Sequence, residues 1–289
     1  MKKFLKIVFY VLLTIVLITG IYIVTHTRND VVVTKYQLEA KIKNSMRIVQ
    51  LTDLHNAEFG EDNSELVQLV REQKPDFIVL TGDMANKDEE DISVACNLVK
   101  QLAGITKVFY CYGNAEKSWE KNYQRNFGEA IKKSGGIVLD RNFEDVEVKG
   151  NELRIGGYMG YYNAPHMTEK TPEEQQKTAA FESSFEDTSR YKILLDHIPT
   201  TWVDWEHLDD FSIDLVFSGH YHGGMLQFPV TGKGLYVPYI GWFPDKLKGV
   251  FKGKDAVCVL SSGLGSEYPI PRVNNAPEIV VVDLEPSNK

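Results

Sequence analysis

The hydrophobic pattern divides the chain into an apolar opening and a long alternating remainder. Lys2, Lys3 and Lys6 precede an uncharged, mostly apolar run from Ile7 to Val24, and His26 and Arg28 follow it. As a helix this run reaches about 27 Å at ~1.5 Å per residue, close to the roughly 30 Å of a bilayer's hydrocarbon core. It is apolar on every side, unlike a core helix with one buried stripe. A cleaved signal peptide is the rival reading, but no A-x-A-like site is present and bulky Ile21, Tyr22 and Ile23 end the run. The pattern therefore predicts an uncleaved transmembrane anchor over residues 1–28. The leading lysines predict a cytoplasmic N-terminus, a single span and an extracytoplasmic remainder.

Residues 29–45 read as a polar connection, with an early strand at Val31–Val33. From residue 46 to 289 short apolar runs alternate with segments of helical spacing. Strands are expected at Arg47–Leu51, Phe77–Leu80 and Lys107–Tyr112, and helices at Ser64–Glu72, Ile92–Leu102 and Tyr123–Lys133. Phe143–Tyr158 reads as a hairpin turning at Gly150–Asn151, and Asn163–Asp187 as a loop plus a surface helix. Further strands are expected at Ile193–Leu195, Leu215–Phe217, Leu235–Val237, Val257–Leu260 and Ile279–Val282. Strands alternating with helices imply βαβ units in an α/β domain. The expectation is one domain after the anchor, with two sheets face to face and helices outside.

Apolar content of 43% and charged content of 25% are ordinary for a globular core. The net charge of −8 speaks against a nucleic-acid surface, which needs clustered Lys and Arg. An anionic substrate must then be drawn by a local charge, which a bound metal supplies. Cys96, Cys111 and Cys258 form no C-x-x-C pattern. Cys111 and Cys258 sit in strand-like runs, where a buried thiol is expected.

Five short motifs stand where apolar strands end. They are Asp53-Leu-His55, Gly82-Asp83, Gly113-Asn114, Asp196-His197 and Gly219-His220-Tyr-His222. Ligands of α/β sheets bind at the carboxyl ends of strands, so these ends can converge. In extended chain, residues i and i+2 point the same way, which pairs Asp53 with His55 and His220 with His222. The glycines before Asp83, Asn114 and His220 permit sharp turns and close backbone approach. Each motif alone is weak, since Gly-Asp after a strand is more often a turn. All five in order point to a mixed nitrogen and oxygen donor set. Such donors suit Mn, Fe, Zn or Ni better than Ca or Mg, and the lack of Cys disfavours structural zinc.

Asp53-x-His55, Gly82-Asp83, Gly113-Asn114, His197 and Gly219-His220-x-His222 together resemble the signature of calcineurin-like metallophosphoesterases. Gly263-Leu-Gly265 and the stretch from Arg272 to Ile279 resemble its membrane-anchored bacterial branch, which includes proteins similar to UDP-diacylglucosamine hydrolases. The resemblance implies a four-layer αββα sandwich of two mixed β-sheets. It implies one metal on Asp53, His55 and His222, a second on Asn114, His197 and His220, and Asp83 bridging them. A hydroxide between the metals would attack phosphorus in line, with Mn the favoured metal. The implied partner is a phosphate-containing small molecule or a lipid-linked, cell-envelope substrate.

One position departs from the family pattern. The family usually has His directly after the Asn, whereas this chain reads Gly113-Asn114-Ala115-Glu116. In the family that His contacts the phosphate and helps protonate the leaving group. Glu116 is the candidate substitute acid, set against a plain solvated carboxylate. Ala115 also favours a rival reading, a catalytically silent scaffold, which the retained ligand set opposes. A zinc peptidase lacks its H-E-x-x-H. His166 and His207 read as surface or loop histidines. The aromatic run Tyr236–Phe243 reads either as a hairpin folded onto the core or as an interfacial lip. Lys246, Lys248, Lys252 and Lys254 nearby are candidates for facing anionic headgroups.

Overall fold

The computed structural model describes residues 2–27, 30–159, 171–237, 240–267 and 270–287. His166, Arg28, and the Pro238 and Tyr239 of the aromatic run lie outside the described residues. The apolar opening forms helix α1 (Lys2–His26), whose span Lys3–Ile23 is long and apolar enough to cross a membrane and is exposed but for its last residues, Tyr22 and Ile23, which are half-buried.

Two six-stranded sheets follow. Sheet one takes β1 (Val32–Ala40), β2 (Met46–Leu51), β3 (Phe77–Thr81), β4 (Val108–Cys111) and β5 (Ile137–Leu139). Helices α2 (Ser64–Glu72), α3 (Ser93–Ala103), α4 (Asn114–Tyr123) and α5 (Phe127–Lys133) connect them. Sheet two takes the hairpin β6 (Asn142–Val148) and β7 (Asn151–Tyr158), then β8 (Tyr191–Asp196) and β9 (Leu215–Ser218). Helices α6 (Pro172–Glu186) and α7 (Thr200–Val203) flank β8. After the small hairpin β10 (Tyr236–Val237) and β11 (Gly241–Trp242), β12 (Gly249–Lys252) and β13 (Val257–Leu260) complete sheet two. The last strand, β14 (Glu278–Pro286), returns to sheet one between β1 and β2.

Both sheets are mixed. In sheet one β2, β3, β4 and β5 run parallel while β14 is antiparallel to β2. In sheet two β7, β8, β9 and β13 run parallel, with antiparallel β6 and β12 at the edges. The period-2 alternation of strands sorts their side chains onto two faces. Ile48, Phe77, Val79 and Phe109 of sheet one meet Ile155, Ile193, Leu195 and Phe217 of sheet two in the central core. Val49, Leu51, Ile78, Leu80 and Tyr110 face the other way, under α2, α3 and Trp119 of α4. Leu194, Val216, Cys258 and Leu260 pack under Phe181 and Phe185 of α6 and Trp202 of α7. The result is the expected four-layer αββα sandwich.

Several elements differ from the sequence expectation. The connection expected over residues 29–45 contains the nine-residue strand β1, paired in parallel with β14. Tyr36, Leu38 and Ala40 join the central core while Gln37 and Glu39 face solvent, so an edge strand wets half its positions. The helix expected at Tyr123–Lys133 is two helices, broken at Gln124 with φ 52°, and the first begins at Asn114. The hairpin turns at Lys149–Gly150, one residue earlier than expected, both with positive φ as a type I′ turn requires. The described part of Asn163–Asp187 is α6, which buries Phe181 and Phe185 rather than lying free on the surface.

Candidate metal centre

The five motif strands end at one edge of the sandwich. β2, β3 and β4 are neighbours in sheet one, and β8 and β9 in sheet two. Gln50 ties the layers beneath the site, donating through Nε2 to Thr81 Oγ1 at 2.9 Å and to the Ser218 carbonyl at 2.8 Å. The loops are laced by backbone bonds, Asp53 N–H to the Gly82 carbonyl and His55 N–H to the Asp83 carbonyl, each 3.0 Å. Gly82 has φ 84°, and a Cβ there would lie 2.5 Å from the Gly113 nitrogen. A Cβ on Gly113 would lie 2.1 Å from Asp83 Oδ1. The two motifs fit together only because both residues are glycine.

The candidate ligands fall into two groups. Asp53, His55 and His222 present donor atoms within 4.8 Å of one another, and so do Asp83, His197 and His220. Asp83 touches both groups through one oxygen, Oδ2 lying 3.6 Å from His55 Nε2 and 3.2 Å from His197 Nε2. His222 Nε2 is 3.6 Å from Asp53 Oδ1. Asn114 opens α4 beside Asp83, between Gly113 and Ala115, which both contact that carboxylate. Asp196 stands apart from both groups and accepts from Trp202 Nε1 at 2.7 Å.

The pairing of i with i+2 has a different origin from the extended chain expected. β2 ends at Leu51 and β9 at Ser218, before the ligands begin. Asp53, His55, Asp83, His220 and His222 have φ of 52°, 48°, 51°, 73° and 48°, all in the left-handed region. That conformation costs of order 1–3 kcal/mol at each non-glycine residue and clusters at functional sites. The strands supply the position, and tight turns beyond them aim the side chains.

A further layer orients the ligands. His197 Nδ1 donates to the Thr81 carbonyl at 2.7 Å and His55 Nδ1 to Asn86 Oδ1 at 3.1 Å. Both bonds turn Nε2 toward the site, the orientation that metal-binding imidazoles require. The Ala115 N–H donates to Asp83 Oδ1 at 2.8 Å. Glu116 is fully buried, not solvated as the sequence suggested. Its carboxylate accepts from the N–H groups of Asp83 at 3.0 Å, Met84 at 2.5 Å and Gly113 at 2.8 Å. The last of these is half of a capping box, since Glu116 is at the third position of α4.

Burial and close mutual contact shift most of the charged groups here. Burial pushes the Asp53 carboxyl up, with the Asp83 charge adding to it against His197 and His55. Burial acts upward on Asp83 too, but His197, His55 and His220 outweigh it and hold that carboxyl well below its usual range. Burial opposes charge on His197, yet Asp83 and Asp53 push its pKa up to about 10. Burial together with His55 and Arg272 drives His222 down. Burial and the neighbouring Asp83 push Glu116 up to about 7. The buried Asn114 Oδ1 and His55 Nε2 have no hydrogen-bond partner. Polar atoms left so are rare in folded proteins and fit metal ligands whose acceptor is an ion.

The sequence model of the family described as calcineurin-like phosphoesterase matches residues 46–224, which include every candidate ligand. The chain belongs to this family. The metallophosphoesterase YkoQ of Bacillus subtilis is 23% identical over 273 residues, 92% of this chain and 94% of that protein. The phosphodiesterase YaeI of Escherichia coli K12 is 27% identical over 251 residues, 82% of each chain. Among solved structures, the sulfate thiohydrolase SoxB of Thermus thermophilus aligns with a TM-score of 0.50 at 13% identity. That alignment covers 80% of this chain and 53% of SoxB, and it is a likeness of fold. The protein is thus a metal-dependent phosphoesterase with two groups of metal-binding side chains.

Proposed function

We propose that the protein hydrolyses a phosphate ester or pyrophosphate bond at a pair of divalent transition metals, outside the cytoplasm, on a lipid-linked or cell-envelope substrate. The observation that carries the dinuclear reading is Asp83 Oδ2, within 3.6 Å of His55 and 3.2 Å of His197 in the two separate groups. Asp53, His55 and His222 would hold one metal, Asn114, His197 and His220 the other, and Asp83 both. Borderline nitrogen and oxygen donors favour Mn, Fe, Zn or Ni, with Mn preferred. When bound, such a pair lowers the pKa of a coordinated water and neutralises charge on phosphoryl oxygens.

The chain's own contribution is position and charge. Thr81 and Asn86 hold His197 and His55 with Nε2 inward, and the Ala115 N–H turns the free oxygen of Asp83 toward both groups. Glu116 serves as a positioning residue, because its two oxygens are engaged by three backbone N–H groups. A scaffold without chemistry would have no reason to leave Asn114 Oδ1 and His55 Nε2 buried and unpartnered. The envelope location rests on α1 and the lysines before its span.

The test uses the full chain in detergent, reconstituted with Mn²⁺. Elemental analysis should give about two metals per chain, and turnover should be read on nitrophenyl esters, nucleotide-sugar lipids and phospholipids. One metal or none would overturn the dinuclear reading. Protease added to intact protoplasts should digest the domain, whereas protection until lysis would place it in the cytoplasm.

A further inference from the structure

One short segment joins the N-terminal helix, an exposed hairpin and the metal centre. Val273 bridges to Thr27 just beyond α1 on one side and to Leu226 on the other. Asn274 donates its backbone N–H to the His26 carbonyl at 3.0 Å and its side-chain amide to Tyr22 Oη at 2.5 Å and the Gln227 carbonyl at 3.0 Å. Asn275 Nδ2 donates to the carbonyl of His222 at 2.7 Å. The apolar span ends at Ile23, so Thr27 lies only about 6 Å of helix rise beyond it. Tyr22 lies within the span itself. A bilayer crossed by α1 therefore has its surface at the level of residues 273–274, next to the His222 turn.

The segment that runs on from Leu226, and returns to it through the Leu235 N–H bond to its carbonyl, carries an apolar and aromatic surface. The hairpin pairing Gln227 with Gly234 carries Val230 near its tip, 95% exposed. Tyr236, Trp242 and Phe243 follow as one contiguous group, with Tyr236 and Trp242 centroids 5.1 Å apart and Trp242 and Phe243 6.2 Å apart. Trp242 is 68% exposed, and Ile270, close in sequence to Arg272, is half exposed. Part of the neighbouring charge is committed elsewhere. Lys246 donates to the Val203 carbonyl at 2.8 Å and to Glu206, and Lys248 approaches the buried Glu278 at 3.4 Å. In the described part of the run Val237 is buried in the core while Tyr236, Trp242 and Phe243 are exposed, and two of the four lysines expected to face headgroups have internal partners.

We propose that this aromatic rim seats in the interfacial zone of the bilayer that α1 crosses, so that the metal centre opens at headgroup level. Trp and Tyr favour that zone because each has an apolar body and a polar handle. Apolar insertion and not lysine charge holds the rim, so zwitterionic lipid suffices. The proposal rests on α1 as a membrane anchor and is independent of the metal chemistry.

The full chain is reconstituted into phosphatidylcholine vesicles with or without acyl-brominated phosphatidylcholine, and tryptophan emission is read. α1 contains no Trp, and Trp119 and Trp202 are buried, leaving Trp205 and Trp242 as the reporters. Brominated lipid should quench the wild type and Trp205→Phe, and the quenching should be lost in Trp242→Phe. It should persist at high salt and change little with phosphatidylglycerol. Equal quenching in Trp242→Phe and wild type overturns the proposal while leaving the anchor intact. A rim covered by a second copy would also overturn it, leaving Trp242 unquenched and making a Trp242→Ser, Phe243→Ser variant dissociate in detergent. Failure of the chain to float with the vesicles would remove the anchor and the seat together.

Discussion

Ala115 donates its backbone N–H to Oδ1 of Asp83 at 2.8 Å, which leaves Oδ2 as the oxygen that faces the two groups of candidate ligands. Oδ2 is left to approach His55 and His197 together. The bond belongs to the backbone, so a change of side chain at position 115 does not by itself remove it. That separates metal binding from whatever the residue after Asn114 does for catalysis.

If Asp83 serves both groups, Asp83→Asn should weaken both metal sites, because the shared buried carboxylate loses its charge. Metal content should fall from about two per chain to below one. His222→Ala should remove chiefly one metal, since His222 belongs to the Asp53 and His55 group alone. Elemental analysis after Mn²⁺ reconstitution reads both. Equal loss in the two variants would contradict the division into two groups.

Glu116→Gln should act on structure before chemistry. An amide can keep at most one oxygen acceptor where the carboxylate serves three N–H groups. The expected cost is about 1–3 kcal/mol, read as a loss of several degrees in Tm together with weaker metal binding. A proton donor would behave differently. If Glu116→Gln kept its Tm and metals but lost turnover only with poor leaving groups, Glu116 would be the acid and not a positioning residue.

Chelation should destabilise the fold, since Asp53 and Asp83 are both buried and a metal that binds only the folded state stabilises it. A metal held at one hundred times its Kd contributes about 2.7 kcal/mol. The metal-loaded chain should lose several degrees in Tm on EDTA treatment, and Mn²⁺ should restore them. An unchanged Tm would mean that the folded chain holds no metal more tightly than the unfolded chain does.

The site was more legible than the turns that shape it. The convergence of Asp53, His55, Asp83, His197, His220 and His222 into two groups is legible because each follows an apolar strand in chain order. Their left-handed conformations were not, because the period-2 rule was carried past Leu51 and Ser218, where the strands stop. Strand β1 was hidden by its own edge position, where Lys35, Gln37 and Glu39 alternate with inward residues. Helix α4 leaves little periodic signal because its buried face is narrow, with Ala115, Glu116 and Trp119 in a polar run. Its start was marked all the same, by Glu116 three residues after Gly113.

Position 115 is where the chain and the family pattern part, and the leaving group tells what was lost. If the family's His protonates the leaving group, its absence matters only when that group is basic. Nitrophenolate departs without a proton, whereas an alkyl alkoxide does not. Ala115→His should then raise kcat strongly for alkyl phosphate esters, by up to about 10²–10⁴, and only slightly for nitrophenyl esters. Ala115 is 1% exposed, so an imidazole must displace neighbours at about 1–3 kcal/mol, and a lower Tm is expected. Metal content should hold, because the bond to Asp83 comes from the backbone. Equal gains on both substrates would point to stabilisation of transition-state charge instead of proton transfer. No gain on either, with both metals retained, would mean that the chain already protonates its leaving group elsewhere or that its natural substrate needs no proton.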